Sequence, residues 1–222
     1  MTASFDALVK KIHWEGNPYT GWPYDPSLIE PFGFVGWTGF FNEAILKYRP
    51  DVIIENGVLY GASTRYMAKG LKDNGIDGAV ISVDTYLQEQ VLWQIPEHRA
   101  KLRLKHGRSQ SYEMFMTNNI AEGLQDYVVP LAMDSRGAAR YLRDLGITAP
   151  VIYIDACHMR GDVYQDLELY WPLLRPGGVM IMDDYSRAAF PQLVDDVDLF
   201  AKNYGVTVDA NLEVSKARIF KP

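Results

Sequence analysis

Five short stretches of the chain, residues 51–55, 79–83, 127–132, 151–154 and 179–182, each carry a strong apolar run. Their runs are continuous rather than alternating, the pattern of strands covered on both faces. Segments with helical spacing separate them, and that alternation predicts an α/β protein built on a parallel sheet. Between the last two candidate strands, Val163, Leu167, Tyr170, Trp171 and Leu174 fall on one helical stripe, with Asp162, Asp166 and Glu168 on the other side. Arg175-Pro176-Gly177-Gly178 is expected to end that helix, because proline cannot continue the hydrogen-bond ladder and glycine tolerates a left-handed turn. A second helix, with Ala62, Tyr66 and Leu71 on one side, follows the first strand. No internal repeat or low-complexity tract interrupts the pattern.

The first 50 residues depart from this order. They hold 11 of the 28 aromatic residues, where even spacing would place about 6, and prolines at 18, 23, 26 and 31. The expectation is an irregular segment over residues 1–36 acting as a strap on one flank of the sheet, a lid or a subunit contact. A helix over 37–48 would lead into the first strand, and residues 37–222 would form the main domain. At 222 residues the chain suits one well-buried domain, with or without an appendage.

A net charge of -6 excludes a general nucleic-acid or anionic-membrane binder, which gains its affinity from a basic face. A small-molecule ligand fits better. Cys157 is the only cysteine, so no intrachain disulfide forms. The amino terminus lacks the charged-then-apolar pattern of a signal peptide, and no apolar run is long enough to span a bilayer. A cytoplasmic location is expected.

The candidate chemistry gathers where the strands end. Asp155 closes the fourth candidate strand and Asp183-Asp184 the fifth, which puts three carboxylates at the rim where a parallel sheet opens onto its ligand crevice. Three hard oxygen ligands there suit Mg²⁺ or another divalent cation. The alternative is that Asp155 and Asp184 cap the helices that follow. His158, three residues after Asp155, titrates in the range useful to a general base. Its alternative role is structural. The first strand runs into Glu55-Asn56-Gly57-Val58-Leu59-Tyr60-Gly61-Ala62-Ser63, a glycine turn opening a helix, where free N–H groups can meet an anionic ligand. The turn lacks the G-x-G-x-x-G spacing of dinucleotide binders. Asp84 ends the second strand 29 residues after Glu55, the place for an acid that accepts hydrogen bonds from ribose hydroxyls. Glycine turn and acid together point to a nucleoside-bearing cofactor. Cys157, with no second thiol, reads as a small buried apolar residue, and His13, His98 and His106 carry no assigned role.

Glu55-x-Gly57-x-x-x-Gly61-x-Ser63, Asp84-Thr85-Tyr86, Asp134-Ser135, Ile154-Asp155-x-x-His158 and Trp171-Pro172-Leu173-Leu174-Arg175-Pro176-Gly177-Gly178 closing on Asp183-Asp184-Tyr185 resemble the S-adenosylmethionine-dependent methyltransferases of Rossmann-like fold. Within them the chain is similar to the metal-dependent branch that includes the macrolide-sugar O-methyltransferases and the cephalosporin-hydroxylase-like proteins. The resemblance covers residues 50–220 and is most specific over 151–185. It implies a mostly parallel seven-stranded sheet with helices on both faces and an antiparallel last strand. It implies that Gly57 and Gly61 lie under the methionine part of S-adenosylmethionine, that Asp84 holds the ribose, and that Asp134 and Ser135 border the adenine. Glu55, Ser63 and Asp155 complete the cofactor-facing set. Asp155, Asp183 and Asp184 would coordinate Mg²⁺ and His158 would be the general base. The implied reaction is methylation of a hydroxyl on a small polyhydroxylated acceptor, a sugar or sugar-bearing natural product, by a chain that acts alone or as a homo-oligomer. Asn56 replaces an aliphatic residue of the family pattern, and Met159-Arg160-Gly161 replaces acidic and aromatic ones. An NAD(P)-dependent oxidoreductase and a non-catalytic cofactor-binding subunit remain the alternatives.

Overall fold

The computed structural model describes every residue except Met1, Glu15, Phe32, Phe34 and Val35, so two of the amino-terminal aromatics lie outside the described residues. Strands β1 (Val52–Asn56), β2 (Ala79–Asp84), β3 (Val128–Ala132), β4 (Ala149–Ile154) and β5 (Leu174–Met182) pair in parallel in the order β3-β2-β1-β4-β5. The last strand, β7 (Lys216–Phe220), lies antiparallel between β5 and β6 (Val208–Asn211) and completes seven strands. All five residues of β1 are buried, apolar Val52, Ile53 and Ile54 together with the polar Glu55 and Asn56 at its carboxyl end. Strand order reverses between β1 and β4, and a crevice opens there at the carboxyl ends of the strands.

Helices in the crossovers cover both faces of the sheet, as the right-handed rule for parallel strands leads one to expect. Helices α2 (Gly39–Tyr48) and α3 (Ala62–Asp73) pack together on one side, the former close to the expected span of 37–48. Helices α7 (Ser135–Asp144), α8 (Asp162–Tyr170) and α9 (Pro191–Tyr204) pack in sequence on the other. Two short helices, α4 (Gln90–Gln94) and α5 (Pro96–Lys101), and the longer α6 (Ser111–Ala121) fill the connection from β2 to β3.

Two expectations are corrected. The helix expected through Leu174 ends at Tyr170, because Pro172 has no N–H to offer and turns the chain into a short 3₁₀ segment, Trp171–Leu173. Arg175-Pro176-Gly177-Gly178 then belongs to β5 instead of a loop, with the Gly177 N–H donating to the Lys221 carbonyl at 2.9 Å and the Lys221 N–H to that of Gly178 at 3.0 Å. The amino-terminal segment is likewise not irregular throughout. Thr2 caps α1 (Ala3–His13), whose Phe5, Leu8, Val9 and Ile12 recur at helical spacing and bury themselves in the common core. Helix α1 packs on β3, with the His13 Nε2–H donating to the Pro130 carbonyl and Tyr141 O–H to that of Ile12, both at 2.8 Å. Beyond it, Asn118 of α6 accepts from the Glu30 N–H and donates to the carbonyls of Glu30 and Tyr60, tying this segment to the turn after β1.

Candidate active site

Between β1 and α3 the chain makes a turn built on glycines. Gly57 (φ +93°), Leu59 (φ +55°) and Gly61 (φ +82°) all lie in the left-handed region. A Cβ on Gly57 would fall 2.0 Å from the Asp155 carbonyl oxygen, so only glycine lets β1 and β4 end so close together. Asp84 organises this turn from the next strand. Its Oδ2 accepts from the N–H groups of Val58 (2.8 Å) and Leu59 (3.2 Å), and its Oδ1 from that of Tyr86 (2.6 Å). Burial nevertheless raises the Asp84 carboxyl above its usual range, because three N–H donors do not fully replace water. Glu55, expected to face the cofactor, is wholly buried beneath α3 instead. Its carboxylate accepts from the Ser63 and Thr64 hydroxyls, and desolvation, opposed by those bonds, pushes it up to about 7. Ser63 thus spends its hydroxyl on Glu55 while its residue still lines the cavity over the turn, together with Gly33, Gly57, Leu59, Ala62 and Asp155.

Asn56 lies at the centre of a buried polar network. Its Nδ2 donates to Asp166 Oδ2 at 2.9 Å, its Oδ1 accepts from Tyr170 O–H at 3.2 Å, and Ser135 donates to the other Asp166 oxygen. Desolvation outweighs these bonds and pushes Asp166 up to about 6. Ser135, expected beside the adenine, therefore turns its hydroxyl into the protein. Asp134 caps α7 by accepting from the Gly137 N–H at 3.0 Å.

At the ends of β4 and β5 the carboxylates do converge. Neither Asp155 nor Asp184 caps a helix: the caps of α8 and α9 are Gly161 and Phe190. Asp155, His158 and Asp184 each place one ligand atom within 4.8 Å of the others. His158 Nε2 is 2.9 Å from Asp184 Oδ2 and 3.9 Å from Asp155 Oδ1, while its Nδ1 faces Glu89 at 4.0 Å and its ring stacks on Phe190. Burial works against the charged imidazole, but the Asp184 hydrogen bond and the surrounding carboxylates prevail and raise its pKa. Burial, then the charges of Asp183 and Asp184, push Asp155 well above the usual carboxylate range. Asp183, expected as a third ligand, is differently engaged. Its Oδ2 accepts from Tyr153 O–H and from the Lys216 ammonium, each at 2.5 Å, and its Oδ1 accepts from the Asp184 N–H at 2.9 Å.

Tyr153 was legible in principle, since it lies two residues before Asp155 and so on the same face of β4. Glu89 and Lys216 carry no motif. Cys157 donates to Asp162 Oδ2 at 2.9 Å, and burial pushes its thiol up to about 11, which makes it inert as a nucleophile. A second cavity lies between Asp155, His158, Asp183 and Leu193, so Asp155 lines both it and the cavity over the glycine turn.

No helix among the described residues is long and apolar enough to cross a membrane. No curated protein matches the sequence. Among solved structures, an O-methyltransferase from Bacillus cereus in complex with SAH is similar over 100% of this chain and 92% of its own, with 15% identity and a TM-score of 0.57. The O-methyltransferase TomG from Streptomyces achromogenes, involved in tomaymycin synthesis and bound to SAM, is similar over 100% of this chain and 91% of its own, at 13% identity and a TM-score of 0.56. The O-methyltransferase NovP is similar over 82% of this chain and 76% of its own, at 18% identity and a TM-score of 0.59. These likenesses bear out the Rossmann-like methyltransferase fold. A family model described as a methyltransferase domain matches residues 54–185, more than half of the chain, and the chain therefore belongs to the methyltransferase-domain family.

Proposed function

We propose that this methyltransferase moves a methyl group from S-adenosylmethionine to a hydroxyl oxygen of a small polyhydroxylated acceptor, a sugar or sugar-bearing natural product, with the help of a divalent cation such as Mg²⁺. The observation that carries the reading is the double position of Asp155, which lines both the cavity over the glycine turn and the cavity holding His158. A group that prepares an acceptor oxygen and a cradle for a methyl donor share one wall there, as an in-line displacement needs. The family's methyltransferase chemistry leaves the dinucleotide-dependent oxidoreductase alternative without support.

Gly57 lines the cavity without a side chain, Gly61 lets the turn close against Phe115, both would lie under the methionine part, and the amino terminus of α3, with no side-chain cap, offers N–H groups to its carboxylate. Asp84 retains lone pairs on Oδ1 beyond the one used by Tyr86 and would meet the ribose with them. Asp134 and the backbone at Ser135 would border the adenine. S-adenosylmethionine, when bound, supplies an electrophilic methyl carbon.

Two carboxylates and an imidazole gathered within 4.8 Å fit a divalent cation. Asp155 and Asp184 would hold it. Such a cation supplies Lewis-acid polarisation of an acceptor hydroxyl. His158, with Nε2 facing the same space, would take the hydroxyl proton. Asp184 and Glu89 on its two ring nitrogens orient the imidazole and stabilise it once protonated.

Calorimetry with S-adenosylhomocysteine and with NAD, then an acceptor screen with Mg²⁺ and with EDTA, tests the proposal. Binding of S-adenosylhomocysteine alone and turnover abolished by EDTA and restored by Mg²⁺ are expected. Full turnover in EDTA would remove the cation from the mechanism. Cofactor binding without turnover of any polyol would favour the non-catalytic subunit.

A further inference from the structure

Lys216 is the most buried cation at the rim, with its side chain 2% exposed. Lysine is almost never buried so fully without a partner. Met182 pairs with Ala217 across the antiparallel β5–β7 ladder, so the next position brings Asp183 beside Lys216. The ammonium lies 2.5 Å from Asp183 Oδ2, over the rings of Phe41 and Tyr153 at 5.5 and 5.7 Å. Tyr153 O–H completes the grip on the same oxygen, and Asp183 Oδ1 holds the Asp184 N–H. Asp184 itself sits at φ +53°, a left-handed conformation that aspartate tolerates only with local hydrogen-bonded support.

We propose that Lys216 makes Asp183 a positioning residue instead of a ligand. With Lys216 in place, Asp183 is neutralised and acts as a strut for the left-handed turn that directs Asp184 toward His158. Three carboxylates and one ammonium leave two net negative charges, which a divalent cation balances. Without the ammonium, the rim would carry a third, on the largely buried Asp183, which would be free to coordinate. Buried charge left uncompensated is costly, so this balance has a physical reason to be built in. The inference rests on the proposed cation site.

The test is Mn²⁺ binding, followed by calorimetry and by the loss of the free-ion electron paramagnetic resonance signal, in proteins checked for folding by circular dichroism. Asp155→Asn, which removes a ligand, should weaken Mn²⁺ by about 100-fold, whereas Asp183→Asn, which removes no ligand but leaves the Lys216 ammonium unpaired, should weaken it by only about tenfold. Lys216→Met should tighten Mn²⁺ by about tenfold through the released Asp183. The double variant Lys216→Met/Asp183→Asn replaces the ion pair with neutral groups of similar size and should return to the parent affinity. It also serves as the folded variant if Lys216→Met alone is unstable. Equal losses at Asp155→Asn and Asp183→Asn would overturn the Lys216 assignment and leave the cation site standing. An unchanged affinity in Lys216→Met would do the same. No Mn²⁺ bound by any of the proteins would take down the cation site itself, and this inference with it.

Discussion

Glu55→Gln separates a buried structural carboxylate from a cofactor ligand. The folded protein retains the Glu55 proton up to a pH of about 7, against 4.5 for an unperturbed glutamate. Between those values the folded state binds more protons than the unfolded chain, so this residue's contribution to stability falls as pH rises through the window. The displacement corresponds to roughly 3 kcal/mol lost between pH 4.5 and pH 8. Glutamine fits the same space and can exchange hydrogen bonds with Ser63 and Thr64, whose hydroxyls rotate to donate or accept. Glu55→Gln should therefore flatten the fall in stability and leave the variant more stable than the parent at pH 8 by about 1–2 kcal/mol, after allowing about 1 kcal/mol for poorer hydrogen bonds. Urea unfolding at pH 5, 6, 7 and 8 measures both quantities. Asp166, pushed up to about 6, adds a similar slope below pH 6 that the variant retains. S-adenosylhomocysteine affinity should stay within about threefold of the parent, since no ligand-facing charge is lost. Parallel stability profiles for parent and variant, or a large loss of cofactor affinity, would refute the placement.

Three further outcomes follow from the site and the core. His158→Ala should still bind cation and cofactor while turnover falls by roughly 10² to 10⁴, with partial recovery at high pH; lost Mn²⁺ binding would make it a ligand instead of a base. Asp84→Ala should weaken S-adenosylhomocysteine by at least about 1.5–3 kcal/mol, because it removes an acceptor and also frees the N–H groups of Val58 and Leu59; unchanged affinity in calorimetry would rule out both roles. Deleting residues 1–35 removes four buried apolar side chains of α1, each contributing about 1.5–3 kcal/mol, and should give an insoluble or unfolded chain; a monodisperse, folded product would show the segment to be a separable lid.

The central strands were legible because they are buried on both faces and so read as unbroken apolar runs. β6 and β7 were not located, since β6 is half-exposed and β7 mixes Lys216 and Arg218 with its apolar positions. Helix α1 is harder to see in the sequence although Phe5, Leu8, Val9 and Ile12 carry the spacing, because the prolines and aromatics that follow it break the pattern. Asp155, His158 and Asp184 were placed together by spacing alone, as strand ends in a parallel sheet must be. What spacing cannot express is the partner of Asp183. That depends on an antiparallel register set 33 residues later in the chain.

The seat of α1 on β3 also bears on strand-to-strand contact between copies of the chain. β3 is the outermost strand on its side, and such a strand presents unpaired backbone groups to any passing chain. Here Pro130 has no N–H to present, and His13 already occupies its carbonyl. Burial lowers the His13 pKa, and because Nε2–H donates to the Pro130 carbonyl whether or not the ring is charged, this seal does not depend on a proton. Loss of α1 would thus expose a template for strand addition as well as a gap in the core. Protein lacking it is expected to collect into β-rich aggregates, a hazard distinct from simple unfolding.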